Sequence, residues 1–313
     1  MDSDLIVFSG NSNEGLAREI CDHLNIPLGK LEISRFSNDN LFVQIGESVR
    51  EKDVFVVQSF TEPVSDHVLE LMIVLDALRS ASARRITAVI PYFSYSRSDK
   101  KDAPRISIAA RLMADLLKTA GANRVLTMDL HADSVHGFFS VPVDHLTAIP
   151  LLCDYFKQRL DPGRTVVVAT DAGGAKRAGR FARLLEAPLA IIDKRRLGDT
   201  DVTQGLVVGD VRGRDAIVID DEISTGSTMG TTVETLYAAG ARSIYIGVTH
   251  PVLCGPSIDN LRGLTIEQIV VTNTVSVPEE KQLNSLTVLS VAGLFAETIM
   301  RIHTGESVGA LFT

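Results

Sequence analysis

The chain has 313 residues, 45% of them hydrophobic, 5% aromatic and none of them tryptophan, with a formal net charge of −8. That length accommodates two domains of ordinary size, each able to bury a core without disulfide staples. The acidic balance argues against nucleic acid as the main partner, because duplex binding draws on basic surfaces that displace counterions, yet it leaves room for a local basic site that takes a phosphorylated metabolite. No apolar run reaches membrane-spanning length, so no membrane partner is expected. The start, MDSDLIVFSG, is acidic and enters an apolar strand at once, which is not the pattern of a secretory leader. Cys21, Cys153 and Cys254 lie far apart with no CxxC pair, as expected of reduced, buried thiols in a cytoplasmic protein.

In chain order, short β-branched and apolar runs at 5–8, 54–58, 86–91, 125–128, 165–169, 189–192, 216–219, 244–248 and 269–272 predict strands. Runs apolar on both faces suit buried parallel strands. Helical patterns fall between them, near 14–24, 66–82, 106–120, 174–186, 228–239 and 292–303. Such alternation predicts α/β architecture, each sheet mainly parallel and flanked by crossover helices. LLKTAGANRVLTMDLH (116–131) and TLYAAGARSIYIGVTH (235–250) read as a repeat, 119 residues apart, of helix end, glycine stop (Gly121, Gly240), strand and histidine. The expectation is two similar domains, 1–147 and 148–313, with the apolar stretch 290–303 folding back onto the first.

The strongest chemical signal is AIVIDDEISTGSTMGTT (216–232). A β-branched strand delivers Asp220 and Asp221. Ser224, Thr225, Gly226, Ser227 and Thr228 follow, then a helix. Ser227 and Thr228 suit N-caps, and Gly226 lets the backbone turn sharply, so free N–H groups and the helix dipole face an anion. The two acids can accept hydrogen bonds from vicinal hydroxyls. Phosphate plus diol is a ribose phosphate.

This segment resembles the phosphate loop of type I phosphoribosyltransferases and of ribose-phosphate pyrophosphokinases, with Ser224 in place of a third acid and Ser227 in place of a second glycine. Further segments look like the pyrophosphokinase family. RFSNDN (35–40) is similar to its adenine-pocket loop, placing Phe36, Asn38, Asp39 and Asn40 against the nucleotide, with Asn40 where a Glu is usual. PYFSYSRSDKK (91–101) resembles the segment that leads into its lid, and implies ATP contacts by Arg97, Ser98, Asp99, Lys100 and Lys101, with Ser98 where a Gln is usual. Arg105 adds a fourth cation, which for an acidic chain points to an anion site. In TMDLHAD (127–133), His131 follows a strand end and Asp129 is expected on the same face. The resemblance makes both Mg²⁺ or triphosphate contacts, and His131 catalytic. His136 and His145 are left as structural. DAGGAKR (171–177) puts Asp171 at a metal-linked phosphate contact, and IIDKRRLGD (191–199) makes Lys194 and Arg196 the catalytic cations, Arg196 also touching ribose 5-phosphate.

The resemblance covers essentially the whole chain. It implies two phosphoribosyltransferase type I-like domains and transfer of the β,γ-diphosphoryl group of Mg²⁺-ATP to the C1 hydroxyl of ribose 5-phosphate. GESVR (46–50), residues 80–84 and GESVGALF (305–312) are similar to the parts that bind inorganic phosphate and ADP as regulators in hexamers built from dimers. Two alternatives stay open. A phosphoribosyltransferase shares the 220–228 loop; the duplicated domain, RFSNDN and 97–101 speak against it. A regulatory subunit without activity fits the substitutions at 40, 98, 224 and 227; His131, Lys194, Arg196, Asp220 and Asp221 speak against that.

Overall fold

The computed structural model describes residues 4–195 and 204–309. They divide into two compact units. The first takes the described residues up to Thr147, Thr274–Ser276 and those from Ser290 onward; the second takes those of Ala148–Asn273 and Val277–Leu289.

The first unit opens with β1 (Leu5–Ser9) and α1 (Glu14–Leu24), then a hairpin of β2 (Leu31–Arg35) and β3 (Leu41–Ile45). β4 (Asp53–Val57), α2 (Val64–Ser80), β5 (Arg85–Ile90), α3 (Ala109–Ala120), β6 (Arg124–Met128) and β7 (Val143–Leu146) complete its main run. β1, β4, β5, β6 and β7 form a parallel sheet in that order. All five residues of β4, DVFVV, are buried, as an interior parallel strand covered on both faces must be. Asn13 caps α1 by accepting from the Leu16 N–H at 3.3 Å.

The second unit runs through α4 (Ile149–Lys157), β8 (Thr165–Ala169), α5 (Ala175–Leu185), β9 (Leu189–Arg195), β10 (Gln204–Val208) and β11 (Asp215–Ile223). α6 (Ser227–Ala238), β12 (Ser243–Pro251), α7 (Ser257–Arg262), β13 (Gln268–Thr272) and β14 (Leu286–Leu289) follow. Its seven strands lie in the order β10-β9-β8-β11-β12-β13-β14, all parallel except β10, which pairs antiparallel with β9. The chain closes with α8 (Ala292–Thr304), which packs against α1 within the first unit. Among the described residues no helix is long and apolar enough to cross a membrane.

The two units are similar, but not in the register read from sequence. Strand order matches β1 with β8, β4 with β11 and β5 with β12. Their first residues, Leu5 and Thr165, Asp53 and Asp215, Arg85 and Ser243, stand 160, 162 and 158 positions apart. The repeat of 119 positions pairs β6 with β12, which occupy different places in their sheets. A residue at positive φ follows or ends α1, α2, α3, α5 and α6 alike, at Asn25, Ser82, Gly121, Glu186 and Gly240, so that likeness was local.

The correct register brings out a shared ion pair. Asp53 starts β4 and accepts from Arg85 Nε at 2.8 Å; Asp215 starts β11 and accepts from Arg242 Nε at 2.8 Å. Both pairs close a second contact through the other guanidinium nitrogen. Such fork-to-carboxylate pairing is what makes a buried charge tolerable. Burial pushes the Asp215 carboxyl up, but hydrogen bonds from Arg242 and Ser243 outweigh it and hold the group below the usual carboxylate range. Asp53 also meets His303 Nδ1 at 2.8 Å, and Arg85 donates to the Ile302 carbonyl at 2.8 Å, which fastens the end of α8.

Candidate active site

β11 is longer than the strand beside it. Its pairing with β8 ends at Ile219–Ala169, whereas its pairing with β12 continues to Ile223–Pro251. Asp220 to Ile223 therefore project past the carboxyl end of β8, where ligands of open α/β sheets bind. Ser224, Thr225 and Gly226 then turn into α6. Residues 253–261 brace the turn: Leu253 N–H donates to Ile223 O at 2.9 Å, Cys254 N–H to Ser224 O at 3.1 Å, and Asn260 Nδ2 to Thr225 O at 2.8 Å. The Ser224 hydroxyl meets Cys254 Sγ at 3.1 Å.

The cap of α6 is not a side chain. Ser227 is the first helical residue and Thr228 the second; Gly226 holds the cap position at φ 77°, and no side chain caps the helix. A β-carbon at 226 would be strained at that φ and would sit 3.3 Å from Ser257 O. Glycine suits that turn, and it takes the cap position that sequence assigned to Ser227 and Thr228. Thr225, Ser227 and Thr228 are exposed. The first amides of a twelve-residue helix are left for an anion.

Beside this cup stand the acids. The Asp221 side chain is 4% exposed and that of Asp220 17%. Asp220 Oδ2 accepts from Thr170 Oγ1 at 2.9 Å, and its Oδ1 from the Asp221 N–H at 2.9 Å. Arg177, one turn into α5, lies 3.1 Å from Asp221 Oδ1 and 3.7 Å from Asp220 Oδ1. Burial, with the neighbouring Asp221 charge, pushes Asp220 up to about 7, against the opposing pull of Thr170 and Arg177. Asp171, just past β8, accepts from the Gly174 N–H at 2.8 Å through one oxygen. Its other oxygen has no partner among the described residues. Lys194 sits on β9, its backbone paired with Gly205. The Lys194 side chain and Arg196 lie outside the described residues.

On the first unit, the hairpin tip carries the residues expected to form an adenine loop. Phe36 is 55% exposed and meets Phe42 edge-on at 5.4 Å between centroids. Asn38 Oδ1 accepts from the Asn40 N–H at 3.3 Å, Asp39 takes φ 68°, and Arg35 holds Asp39 at 2.9 Å. Arg97 ends a short 3-10 turn, and Lys100 and Lys101 are exposed beyond it. The structure uses Ser98 at the base of that loop: its Oγ accepts from the Ala109 N–H at 3.3 Å, and its carbonyl from the Ala110 N–H at 3.2 Å. Asp99 accepts from Ser134 Oγ at 3.2 Å.

Asp129 and His131 do not share a strand face. β6 ends at Met128, and Asp129 turns to φ 37°. The strand alternation stops there, leaving Asp129 buried and His131 exposed. The His131 amide donates to Ser96 Oγ at 3.3 Å, and the Leu130 amide to His145 Nε2 at 2.9 Å, which gives His145 a structural task. Among the described residues no group of three or more His, Cys, Asp or Glu is gathered to hold a metal. Mg²⁺ takes oxygen ligands and is usually bound by one or two carboxylates plus substrate phosphates, a demand that Asp171 with its spare oxygen fits. Sequence reading missed Arg177 and Thr170. Arg177 was visible in AGGAKRAG, but only the sheet register shows which acids it faces.

Paired carboxyl groups next to an amide cup, at the carboxyl end of a mainly parallel sheet in a unit built twice along the chain, are the groups that the phosphoribosyl class of α/β proteins calls for. Residues 5–121 match the family model described as the N-terminal domain of ribose phosphate pyrophosphokinase, and 202–313 the phosphoribosyl synthetase-associated domain. A ribose-phosphate pyrophosphokinase of Deinococcus radiodurans is 54% identical, covering 99% of this chain and 98% of its own. One from Caldanaerobacter subterraneus is 48% identical over the same shares. The crystal structure of phosphoribosylpyrophosphate synthetase from Mycobacterium smegmatis superposes with a TM-score of 0.92 at 40% identity, over 97% of this chain and 100% of that one. The chain belongs to the ribose-phosphate pyrophosphokinase family.

Proposed function

We propose that the chain transfers the β,γ-diphosphoryl group of Mg²⁺-ATP to the C1 hydroxyl of ribose 5-phosphate, giving 5-phosphoribosyl 1-diphosphate and AMP for nucleotide biosynthesis. The observation that carries this is the uncapped start of α6 at Gly226 beside Asp220 and Asp221. The amides of 224–228 hold the 5-phosphate. Asp220 and Asp221 accept from the sugar hydroxyls, which fixes the anomeric oxygen in place. The adenine lies against Phe36 with Asn38, Asp39 and Asn40 around it, and Arg97, Asp99, Lys100 and Lys101 hold the rest of the nucleotide, with Ser98 setting their loop.

The bond from O1 to the β-phosphorus forms as the bond from the β-phosphorus to the bridging oxygen breaks; AMP departs with that oxygen, and the O1 proton passes to solvent. Lys194 and Arg196 offset the charge that gathers on the transferring group, with His131 near the triphosphate. Asp171, with its spare oxygen, would hold Mg²⁺ together with the nucleotide phosphates, and the ion would neutralise charge there. No covalent enzyme intermediate is required, so positioning supplies most of the rate.

The protein acts in the cytoplasm. Cys21 and Cys153 are buried, and burial pushes both thiols up to about 11, so they stay inert without an oxidising compartment. Assembly into hexamers, activation by inorganic phosphate and inhibition by ADP belong to the same reading, on the likeness of 46–50, 80–84 and 305–312; light scattering with and without each effector tests them. The function is tested by incubating the purified chain with ATP, Mg²⁺ and ribose 5-phosphate. AMP and the 1-diphosphate should appear in equal amounts. AMP release that does not require the sugar phosphate would overturn the assignment.

A further inference from the structure

Asp220 and Asp221 are adjacent carboxylates, each less than a fifth exposed. Two like charges that close repel, and burial raises the cost of both. The countercharge lies one strand away, on α5. Arg177 reaches both, from a place where its own side chain is 17% exposed. A guanidinium stays charged at any working pH, so the countercharge is permanent. Thr170, at the end of β8, holds the far oxygen of Asp220. On the other flank, the β12 residue paired with Asp220 is Val248, which carries no charge. On β11 itself, Glu222 is the next acid, and it pairs with His250 of β12.

We infer that Arg177 is a positioning residue for ribose 5-phosphate: it holds the Asp220–Asp221 pair in place beside a permanent positive charge so that the pair can accept from the sugar hydroxyls. Arg177 need not touch the sugar. The inference rests on the reading that these acids meet the sugar. Its physical content is that a carboxylate accepts two hydroxyl hydrogen bonds through its lone pairs, whereas a protonated acid has lost one acceptor and gained a donor. Asp220 is already poised to change state near neutral pH. Removing the guanidinium removes an influence that favours the charged form, and the proton is then held to higher pH.

The test compares Arg177→Met, Arg177→Lys and Asp220→Asn in the intact chain, by steady-state rates with each substrate varied from pH 6 to 9. In the parent protein the KM for ribose 5-phosphate should rise as pH falls through about 7. Arg177→Met should raise that KM roughly 10- to 100-fold, the range for loss of a charge-assisted contact, with the KM for ATP unchanged. It should also shift the acid limb to higher pH. Arg177→Lys should restore most of the affinity and return the limb toward its original position. A role in folding alone would lower thermal stability in both variants without moving the limb. An unmoved limb, or equal rises in both KM values, overturns the proposal. Asp220→Asn separates the two readings: if it leaves the KM for ribose 5-phosphate unchanged, the assignment of the acids to the sugar is wrong. If it raises that KM while Arg177→Met does not, only the role of Arg177 fails.

Discussion

The turn after β11 in the second unit and the turn after β4 in the first are counterparts, and they are finished in opposite ways. Counting from Asp215 and Asp53, Gln58 and Ser59 stand where Asp220 and Asp221 stand. Gln58 and Ser59 are fully buried. Gln58 Oε1 accepts from Ser12 Oγ at 2.8 Å, its Nε2 donates to Glu70 Oε1 at 2.7 Å, and Ser59 Oγ donates to Thr274 O at 2.6 Å. Glu70 also takes the Asn11 amide at 2.7 Å, so a carboxylate of the chain fills the turn after β1. The helix that follows β4 begins after Pro63, with no glycine cup. One scaffold thus has a polar end satisfied from within and another left charged and open. A buried polar network whose members all have partners gives rigidity; an exposed helix start leaves amides for a ligand.

That contrast can be broken most sharply at Gly226. Gly226→Val forces a branched side chain into a left-handed conformation against Ser257, and kcat/KM for ribose 5-phosphate should fall about 100- to 1,000-fold. Pro63→Ala at the corresponding place should leave the same constant within about 3-fold, since exposed turns seldom matter. Lys194→Ala should lower turnover by a similar factor while ribose 5-phosphate binding, measured by calorimetry, is kept. Loss of binding with unchanged turnover would contradict the role given to that lysine.

On the closed side the effect is on stability. Glu70→Ala orphans the Asn11 and Gln58 donors and should cost about 2–4 kcal/mol in urea unfolding. The smallest effect sharpens the open side. Asp220 has its folded value raised above the unfolded one, so the stability it gives is complete below about pH 4 and lost as pH rises through about 7. Asp220→Asn escapes that loss. It should melt higher than the parent at pH 8, by an amount on the order of 1 kcal/mol, and the gain should vanish by pH 4. A gain that grew on acidification would reverse the sign of the argument.

The interior of both sheets was legible because parallel strands buried on both faces show unbroken apolar runs, as in VFVV at 54–57 and TVVVA at 165–169. The hairpin strands LEISR and LFVQI, and the short edge strands β7, β10 and β14, were not read as strands. They are partly exposed, so each mixes polar and apolar residues over four or five positions. The phosphate cup was visible in Ser-Thr-Gly-Ser-Thr, but its cap was not: serine at a helix start suggests a capping hydroxyl, and only the φ of Gly226 shows that the glycine takes that place. The reach of Asp220 past β8 depends on unequal pairing of β11 with its two neighbours, which no local pattern encodes. Arg177 escaped notice for the same reason, and the shared Asp–Arg pairs became visible only once the strands had been matched by order.

The central claim is that the turn after β11 grips the sugar's phosphate. Isothermal titration of ribose 5-phosphate into the intact protein, beside the same titration with unphosphorylated ribose and with Gly226→Val, tests it most directly. The expected result is saturable binding of the phosphate ester to the parent protein, little heat from ribose, and loss of the ester's binding in the variant. Equal affinity for ester and free sugar, or ester binding untouched by Gly226→Val, would contradict it.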